Sequence, residues 1–289
     1  MGFLDFFQAR PRAFRAEARP EGLAPFPFFV HPPETEARLT RAVLRDGTFE
    51  PFETTLVQRL LPHFDMFLDL SAGVGWYTAI AQRVMKAGSE IHAFEPDQQN
   101  FGLLKLNAAG ERRVTTRLTR AALSDEVGSA RLFHSPMEFG EHSLFASEAA
   151  RRSTSAPITT LDAYFSNRPL PPLFAKMDTR GNEPRIFRGG ASALSARPKE
   201  SAYILEFWPN GVLGAGETVD AFASSFWGFA QQPFVIYHET RGLRPITWAE
   251  LGGRAKTGVA TMRQYALDIL AVTPGSQAYF AVADFITGV

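Results

Sequence analysis

The chain has 289 residues, with 30 basic and 30 acidic side chains and no cysteine. Balanced charge removes the electrostatic case for nucleic acid or an anionic membrane surface as partner, and the lack of cysteine excludes disulfides, thiolate metal sites and a cysteine nucleophile. With 45% hydrophobic residues and no apolar run near the ~20 residues that span a bilayer, the composition is that of a globular protein with a sizeable core. The start, Met1-Gly2-Phe3-Leu4-Asp5-Phe6-Phe7, lacks the basic region and long apolar stretch of a signal peptide, and Phe6 breaks the myristoylation pattern. The cytoplasm is the expected compartment.

In chain order, residues 1–35 read as an arm rich in Phe, Arg and Pro. Phe3, Leu4, Phe6, Phe7 and Phe14 are separated from a Pro-rich stretch at 25–33 by basic, Pro-interrupted sequence that forbids one long helix. The arm is either an extension packed on its own domain or a lid, dimer contact or membrane-surface anchor. Residues 36–289 form one domain. It opens with leading helices over 36–64, marked by Leu39, Val43 and Leu44 and then by Leu56, Val57, Leu60 and Leu61. Strands are expected at 65–70, 90–95, 113–118, 173–178, 201–207, 233–238 and 265–272, and helices at 75–87, 97–109, 183–194 and 217–229. The alternation predicts a doubly wound, mostly parallel seven-stranded α/β sheet with helices on both faces. Residues 65–120 form its cofactor-binding half and 166–289 its second half. Between them, 121–165 is an insertion expected to lay a hairpin or short strands over the carboxyl edge of the sheet, where open α/β folds bind ligands.

The chemistry begins at Phe67-Leu68-Asp69-Leu70-Ser71-Ala72-Gly73-Val74-Gly75-Trp76-Tyr77-Thr78, an apolar strand ending in an acid, then a turn of small residues. Small side chains let a ligand approach the backbone and leave the amides of the next helix free to meet it. Twenty positions after Gly75, Ile91-His92-Ala93-Phe94-Glu95-Pro96 ends a second strand in an acid suited to ribose hydroxyls. A pyrophosphate-binding dinucleotide turn needs G-x-G-x-x-G, but Thr78 stands where the third glycine would be. S-adenosylmethionine has no phosphate and accepts the looser turn, with Asp69 for the ligand's polar groups and Glu95 for the ribose. The bare alternative is an ordinary strand-to-helix turn.

These segments, followed by Asn107, Ala121-Ala122-Leu123-Ser124-Asp125, Thr160-Leu161-Asp162 and Lys176-Met177-Asp178-Thr179-Arg180-Gly181-Asn182-Glu183, resemble the FkbM-type S-adenosylmethionine-dependent methyltransferases over roughly residues 48–207. The resemblance implies a class I methyltransferase-like (Rossmann-like) fold and O-methylation of a hydroxyl on a small molecule, sugar or other secondary metabolite. It places Asp69, Ala72, Gly75, Tyr77 and Thr78 around the methionine part of the cofactor, Glu95 at the ribose, and Ala122, Ser124 and Asp125 near the adenine; Ser71, Gly73 and Pro96 complete the expected cofactor-binding set. Asp178 and Glu183 would face the reaction centre. The family's Asp-x-Gly-Ala-Asn-x-Gly loop has Ser71 for its first Gly and Gly73 for its Asn here. Its Lys-x-Asp-Val-Glu-Gly-x-Glu exchanges a carboxylate for the guanidinium of Arg180, which suits an anionic acceptor.

Methyl transfer from an activated sulfonium needs alignment, exclusion of water and removal of the hydroxyl proton. The base candidates are Asp178, which equally serves as an acid for the methionine amino group, and the insertion histidines His134 and His142. Glu206 and Trp208 end a strand at the acceptor edge and join Arg180 as acceptor-binding residues. His92 and His238 lie in strand patterns and read as structural. No His, Asp and Glu set has metal-ligand spacing, so no metal is expected. The partner is a small-molecule or glycan acceptor, and a homo-oligomer is compatible with the sequence. Two other readings remain: a non-catalytic methyltransferase-like binding protein, motivated by Ser71 and Arg180, and a NAD-dependent oxidoreductase, set back by Thr78.

Overall fold

The computed structural model describes residues 13–34, 38–110, 113–135, 142–145, 152–195, 200–225, 231–261 and 266–287. Phe3, Leu4, Phe6, Phe7, Arg112, Phe226, Trp227 and Phe229 lie outside them. The chain opens with a hairpin, β1 (Phe14–Ala18) and β2 (Phe26–Val30), then α1 (Arg38–Asp46) and α2 (Pro51–Leu60). The first half of the main sheet follows as β3 (Met66–Asp69), α3 (Trp76–Val84), β4 (Glu90–Phe94), α4 (Gln98–Asn107) and β5 (Thr115–Thr119). The insertion carries β6 (Ala122–Leu123), β7 (Gly128–Phe133), β8 (Ser153–Thr159) and the short α5 (Leu161–Tyr164). The second half runs β9 (Phe174–Met177), α6 (Glu183–Gly189), β10 (Ala202–Phe207), α7 (Pro209–Gly214), α8 (Val219–Ser225), β11 (Gln232–Tyr237), β12 (Gly242–Pro245), α9 (Trp248–Thr261), β13 (Leu267–Val272) and α10 (Gln277–Phe280). None of these helices is long and apolar enough to cross a membrane.

The main sheet has the order β12-β11-β13-β10-β9-β3-β4-β5. β5, β4, β3, β9 and β10 are parallel, β13 runs against both β10 and β11, and β12 runs against β11. This is the expected doubly wound, mostly parallel α/β arrangement, with β12 added as an eighth strand where seven were expected. The additional strand escapes sequence patterning because Gly242-Leu243-Arg244-Pro245 has no alternation to read, and α9 was not expected either. The expected helix at 183–194 ends at Gly189, where Gly189 and Gly190 break it, and the described part of 217–229 is helical only over α8.

Strand residues alternate between two cores. Phe67, Phe174, Ile204 and Leu270 face the layer that holds α2 and α3, while Leu68, Ala175, Leu205 and Ile269 face the layer that holds α5, α6 and α8. The hairpin belongs to the first core. Phe28 is fully buried and meets Trp76 edge-on at 5.2 Å, and Asn107 bonds both the N–H and C=O of Phe29 and also the carbonyl of Val74. Asn107 thus ties the described part of the arm to the glycine loop.

The chain starts the main sheet at its centre, steps outward through β4 to β5, and returns past β3 to β9. The strand order therefore reverses between β3 and β9, and their carboxyl ends form the crevice where such sheets bind ligands.

Candidate functional site

The loop after β3 is held by backbone bonds. Leu70 N–H donates to Lys176 C=O, Ala72 N–H to Phe94 C=O, and Gly75 N–H to Ala72 C=O. Gly75 starts α3 at φ 91°, and a Cβ there would lie 2.7 Å from Leu104, so glycine is required by both conformation and packing. Thr78, in the place of the third glycine, donates its hydroxyl to Asp69 Oδ2 at 2.6 Å. Both are buried, and burial pushes the Asp69 carboxyl to about 6. This pair locks strand to helix beneath the loop and does not line the cavity. Thr78→Val should cost about 1–3 kcal/mol, because it strands a buried acceptor; urea denaturation checks this, and unchanged stability would show that the bond contributes nothing.

One cavity opens at the switch point. Ser71, Ala72, Gly73, Tyr77, Glu95, Pro96, Ala122, His142, Asp178 and Arg180 of the residues proposed from sequence all line it. Glu95 Oε2 accepts from Gly73 N–H at 2.9 Å and Oε1 from Asp97 N–H at 2.7 Å. Burial nevertheless dominates and pushes its carboxyl to about 8. Asp97 then caps α4, accepting from Gln99 and Asn100 N–H.

The opposite wall is charged. Lys176, on β9, pairs with Glu53 of α2 at 3.0 Å and lies over the Tyr77 ring. The Tyr77 hydroxyl lies 2.7 Å from Glu50 and 2.9 Å from Glu53, donating its single proton to one of the two, and Arg38 pairs with Glu50 at 2.7 Å. Burial, aided by Glu53 and opposed by Lys176 and Arg38, pushes Glu50 to about 7. Glu50 holds a left-handed backbone, φ 44°, just before Pro51 begins α2. Sequence reading assigned no role to Arg38, Glu50, Glu53 or Lys176, and none was available, since α1, α2 and β9 meet only in the fold.

After β9, Asp178 N–H donates to the Ser71 hydroxyl, joining the two halves of the crevice. Burial works to raise the Asp178 carboxyl, but Lys176 and Arg180 hold it below its ordinary range. Its Oδ1 is buried and accepts from no N–H among the described residues, but the carboxyl of Glu206 hydrogen-bonds Asp178, which lowers Asp178 and raises Glu206. Arg180, at φ 59°, donates to Glu206 at 3.0 Å with its guanidinium 4.5 Å from the Trp208 ring centre. Arg180, Glu206 and Trp208 are therefore brought together, with Arg180 alone of the three on the cavity wall. Glu183 is turned away: its Oε1 accepts from the N–H and hydroxyl of Thr179, fixing the turn into α6. Ser124 and Asp125 also stand off the cavity, with Asp125 paired to Arg188 at 2.9 Å. His92 bonds Tyr164 and Glu90 within and beside the sheet, and His238, just past β11, bonds Asp268 at 2.6 Å.

The insertion closes the third side. Leu132, His142, Ser143 and Leu144 line the cavity, and β6 brings Ala122 and Leu123. Here the structure gathers what spacing did not reveal. His134 and His142 stand 3.4 Å apart and both face Asp97.

No family model matches the chain, and no curated relative matches it. Among solved structures, an O-methyltransferase from Bacillus cereus in complex with SAH is similar at 12% identity and TM-score 0.40, over 81% of this chain and 86% of that one. A geranyl diphosphate methyltransferase in complex with GPP and sinefungin is similar at 8% identity and TM-score 0.41, over 81% and 82%. An rRNA methylase from Streptococcus thermophilus is similar at 10% identity and TM-score 0.39, over 77% and 95%. Likeness at this level leaves function to the chain's own residues.

Proposed function

We propose that this chain is an S-adenosylmethionine-dependent methyltransferase of the FkbM type that methylates a hydroxyl of a small molecule or glycan. The observation that carries the reading is that one cavity at the switch point is lined together by the 71–74 loop, Glu95-Pro96, Ala122-Leu123 and Asp178. The donor set fits the cofactor. Ala72 and Gly73 leave the loop side open, Glu95 offers carboxylate oxygens for the ribose hydroxyls, and the ionised Asp178 on the cavity wall suits an ammonium group.

When bound, the cofactor supplies a methyl group on a cationic sulfur. The residues then have three tasks. Glu95 and Asp178 fix the donor, the insertion residues Leu132 and Leu144 exclude water, and a wall group takes the acceptor proton. Asp178, held ionised by Lys176 and Arg180, is matched to binding a cation. Glu50, near 7, is matched to accepting a proton at neutral pH. His142, also on the wall, is the other base candidate so long as its ring nitrogen is not held by a metal. The exchange of a carboxylate for Arg180 is answered in space by Glu206, which returns a carboxyl group to the same cluster, raised well above its ordinary range by burial and by Asp178 against the pull of Arg180.

That same ion pair favours a second reading, a cofactor-binding protein without transferase activity, since Arg180 is engaged by Glu206 and Trp208. Titration calorimetry with S-adenosylmethionine, S-adenosylhomocysteine and NAD is expected to give saturable heat with the first two alone. Heat with NAD only would overturn the assignment. Binding without methyl transfer to any of a broad hydroxylated panel would favour the second reading.

A further inference from the structure

We propose that Asp97, His134 and His142 form a binding site for a divalent transition-metal ion, zinc foremost, that fastens the insertion to the start of α4. Asp97 Oδ2 lies 3.6 Å from His134 Nδ1 and 4.0 Å from His142 Nε2, and the two ring nitrogens are 3.4 Å apart. These separations are long for direct hydrogen bonds. Ligand atoms at about 2.0–2.2 Å from a tetrahedral centre lie roughly 3.3–3.6 Å from one another; the two separations to His134 fall in that range, and the 4.0 Å between His142 and Asp97 is met by a small shift of the His142 ring. Two imidazoles and one carboxylate suit zinc or cobalt, and three protein ligands leave a fourth position for water.

The surroundings orient two of the ligands. His134 Nε2 stands 2.7 Å from the Thr154 hydroxyl, so an Nε2–H donor there leaves the Nδ1 lone pair for the ion. Asp97 Oδ1 is held by Gln99 and Asn100 N–H, which leaves Oδ2 for the ion. His142 is the weaker ligand. Its Nδ1 accepts from Ser135 N–H at 3.2 Å, so the neutral ring carries its proton on Nε2. Ligation moves that proton to Nδ1 with no change in charge and gives up the long Ser135 contact. Without the ion, these tautomers leave one long hydrogen bond, His142 Nε2–H to His134 Nδ1 at 3.4 Å, while Asp97 Oδ2 faces that same His134 nitrogen, acceptor against acceptor.

The site is separate from the cofactor contacts yet adjacent to them. Asp97 follows Glu95 and Pro96, and His142 is on the cavity wall. An ion here would join the end of β7 and the His142 segment to the first turn of α4, and so stabilise that wall. Among the described residues Glu53, His238 and Asp268 also converge, but there Glu53 is taken by Lys176 and Tyr77, and His238 bonds Asp268 directly.

The test is titration of the chelator-stripped full-length protein with ZnCl2 by calorimetry and with CoCl2 by visible absorption. Expected are one ion per chain, ligand-field bands from cobalt, and a higher melting temperature with zinc. His134→Ala should abolish stoichiometric binding, His142→Ala should weaken it less, and Thr154→Val should weaken it about 10-fold or more through the second ring nitrogen. Far-UV circular dichroism separates lost binding from lost folding, and the stripped wild-type protein gives the metal-free baseline. Lack of stoichiometric binding by the wild-type protein would overturn the proposal. So would binding that survives the paired substitution His134→Ala and His142→Ala, or that disappears with His238→Ala instead.

Discussion

Lys176→Ala should destabilise the protein by about 3–5 kcal/mol, the usual consequence of leaving a buried charge without its partner. For a chain of this size that corresponds to a fall in Tm on the order of 10 °C. The reason lies in the crowding of acids around one ammonium. Burial alone would lower the Lys176 pKa, but Glu53, Asp178 and Glu50 together hold it well above its ordinary value, so the side chain stays charged inside the protein. Glu53 is 1% exposed and its carboxyl is raised by burial even with Lys176 beside it. Removing the lysine raises it further above its unfolded value of 4.5. A group with a raised folded pKa contributes stability below its unfolded pKa and loses it as pH rises through the folded one. The variant should therefore recover relative to wild type as pH falls toward the unfolded carboxyl value of 4.5. Pairing Lys176→Met with Glu53→Gln removes both charges together and should restore more than half of the loss, a coupling expected between neighbours and not between independent sites. Thermal and urea unfolding of the two singles and the double decide it; additive losses would show that the pair is not a unit.

What was legible in the sequence is what the chain encodes locally. The 69–78 segment and Glu95 could be read because strand, turn and helix follow one another within a few residues, and Asp97 caps α4 within three residues of its own position. Arg180, Glu206 and Trp208 could be read as neighbours because Arg180 and Trp208 follow strands of the same crevice and Glu206 lies near the end of β10, although nothing in their spacing showed that Arg180 and Glu206 pair. Ser124, Asp125 and Glu183 lie in the right loops but point elsewhere, since loop position does not fix side-chain direction. Glu183 is captured by Thr179 four residues earlier and Asp125 by Arg188 on the neighbouring helix. The Glu50, Glu53, Tyr77 and Lys176 cluster was invisible because its members come from an irregular residue before α2, from α2, from α3 and from β9. Glu53 in particular sits in a helical pattern where an acid ordinarily faces solvent. The hairpin at 14–30 was missed for a different reason. Phe26-Pro27-Phe28-Phe29-Val30 has a proline inside the strand, tolerated because the sheet has only two strands and Pro27 lies on an edge.

Glu95→Ala should weaken S-adenosylhomocysteine binding about 100-fold, from the loss of hydrogen bonds between a charged acceptor and two hydroxyls at about 1.5–3 kcal/mol each, offset by relaxation of the loop. The carboxylate has two roles in the ligand-free protein, since it anchors Gly73 N–H as well as Asp97 N–H. Glu95→Gln does not preserve them: an amide NH2 would meet one of those N–H groups, donor against donor, so the glutamine variant should bind no better than alanine. Acidity separates ribose recognition from simple loop support. Glu95 is pushed to about 8 by burial, whereas ligand hydroxyls favour its ionised form. Binding at neutral pH should then release a proton, and wild-type affinity should rise between about pH 6.5 and about pH 8.5, by at most tenfold per unit. Glu50 and Glu183, each near 7, titrate in the same window, so the slope that counts is the part lost in Glu95→Ala. Calorimetry in two buffers of different ionisation heat reads the proton directly. An Ala variant with unchanged affinity would place the ribose elsewhere. One with weakened affinity but an unaltered pH slope would show that Glu95 shapes the loop without touching the ligand.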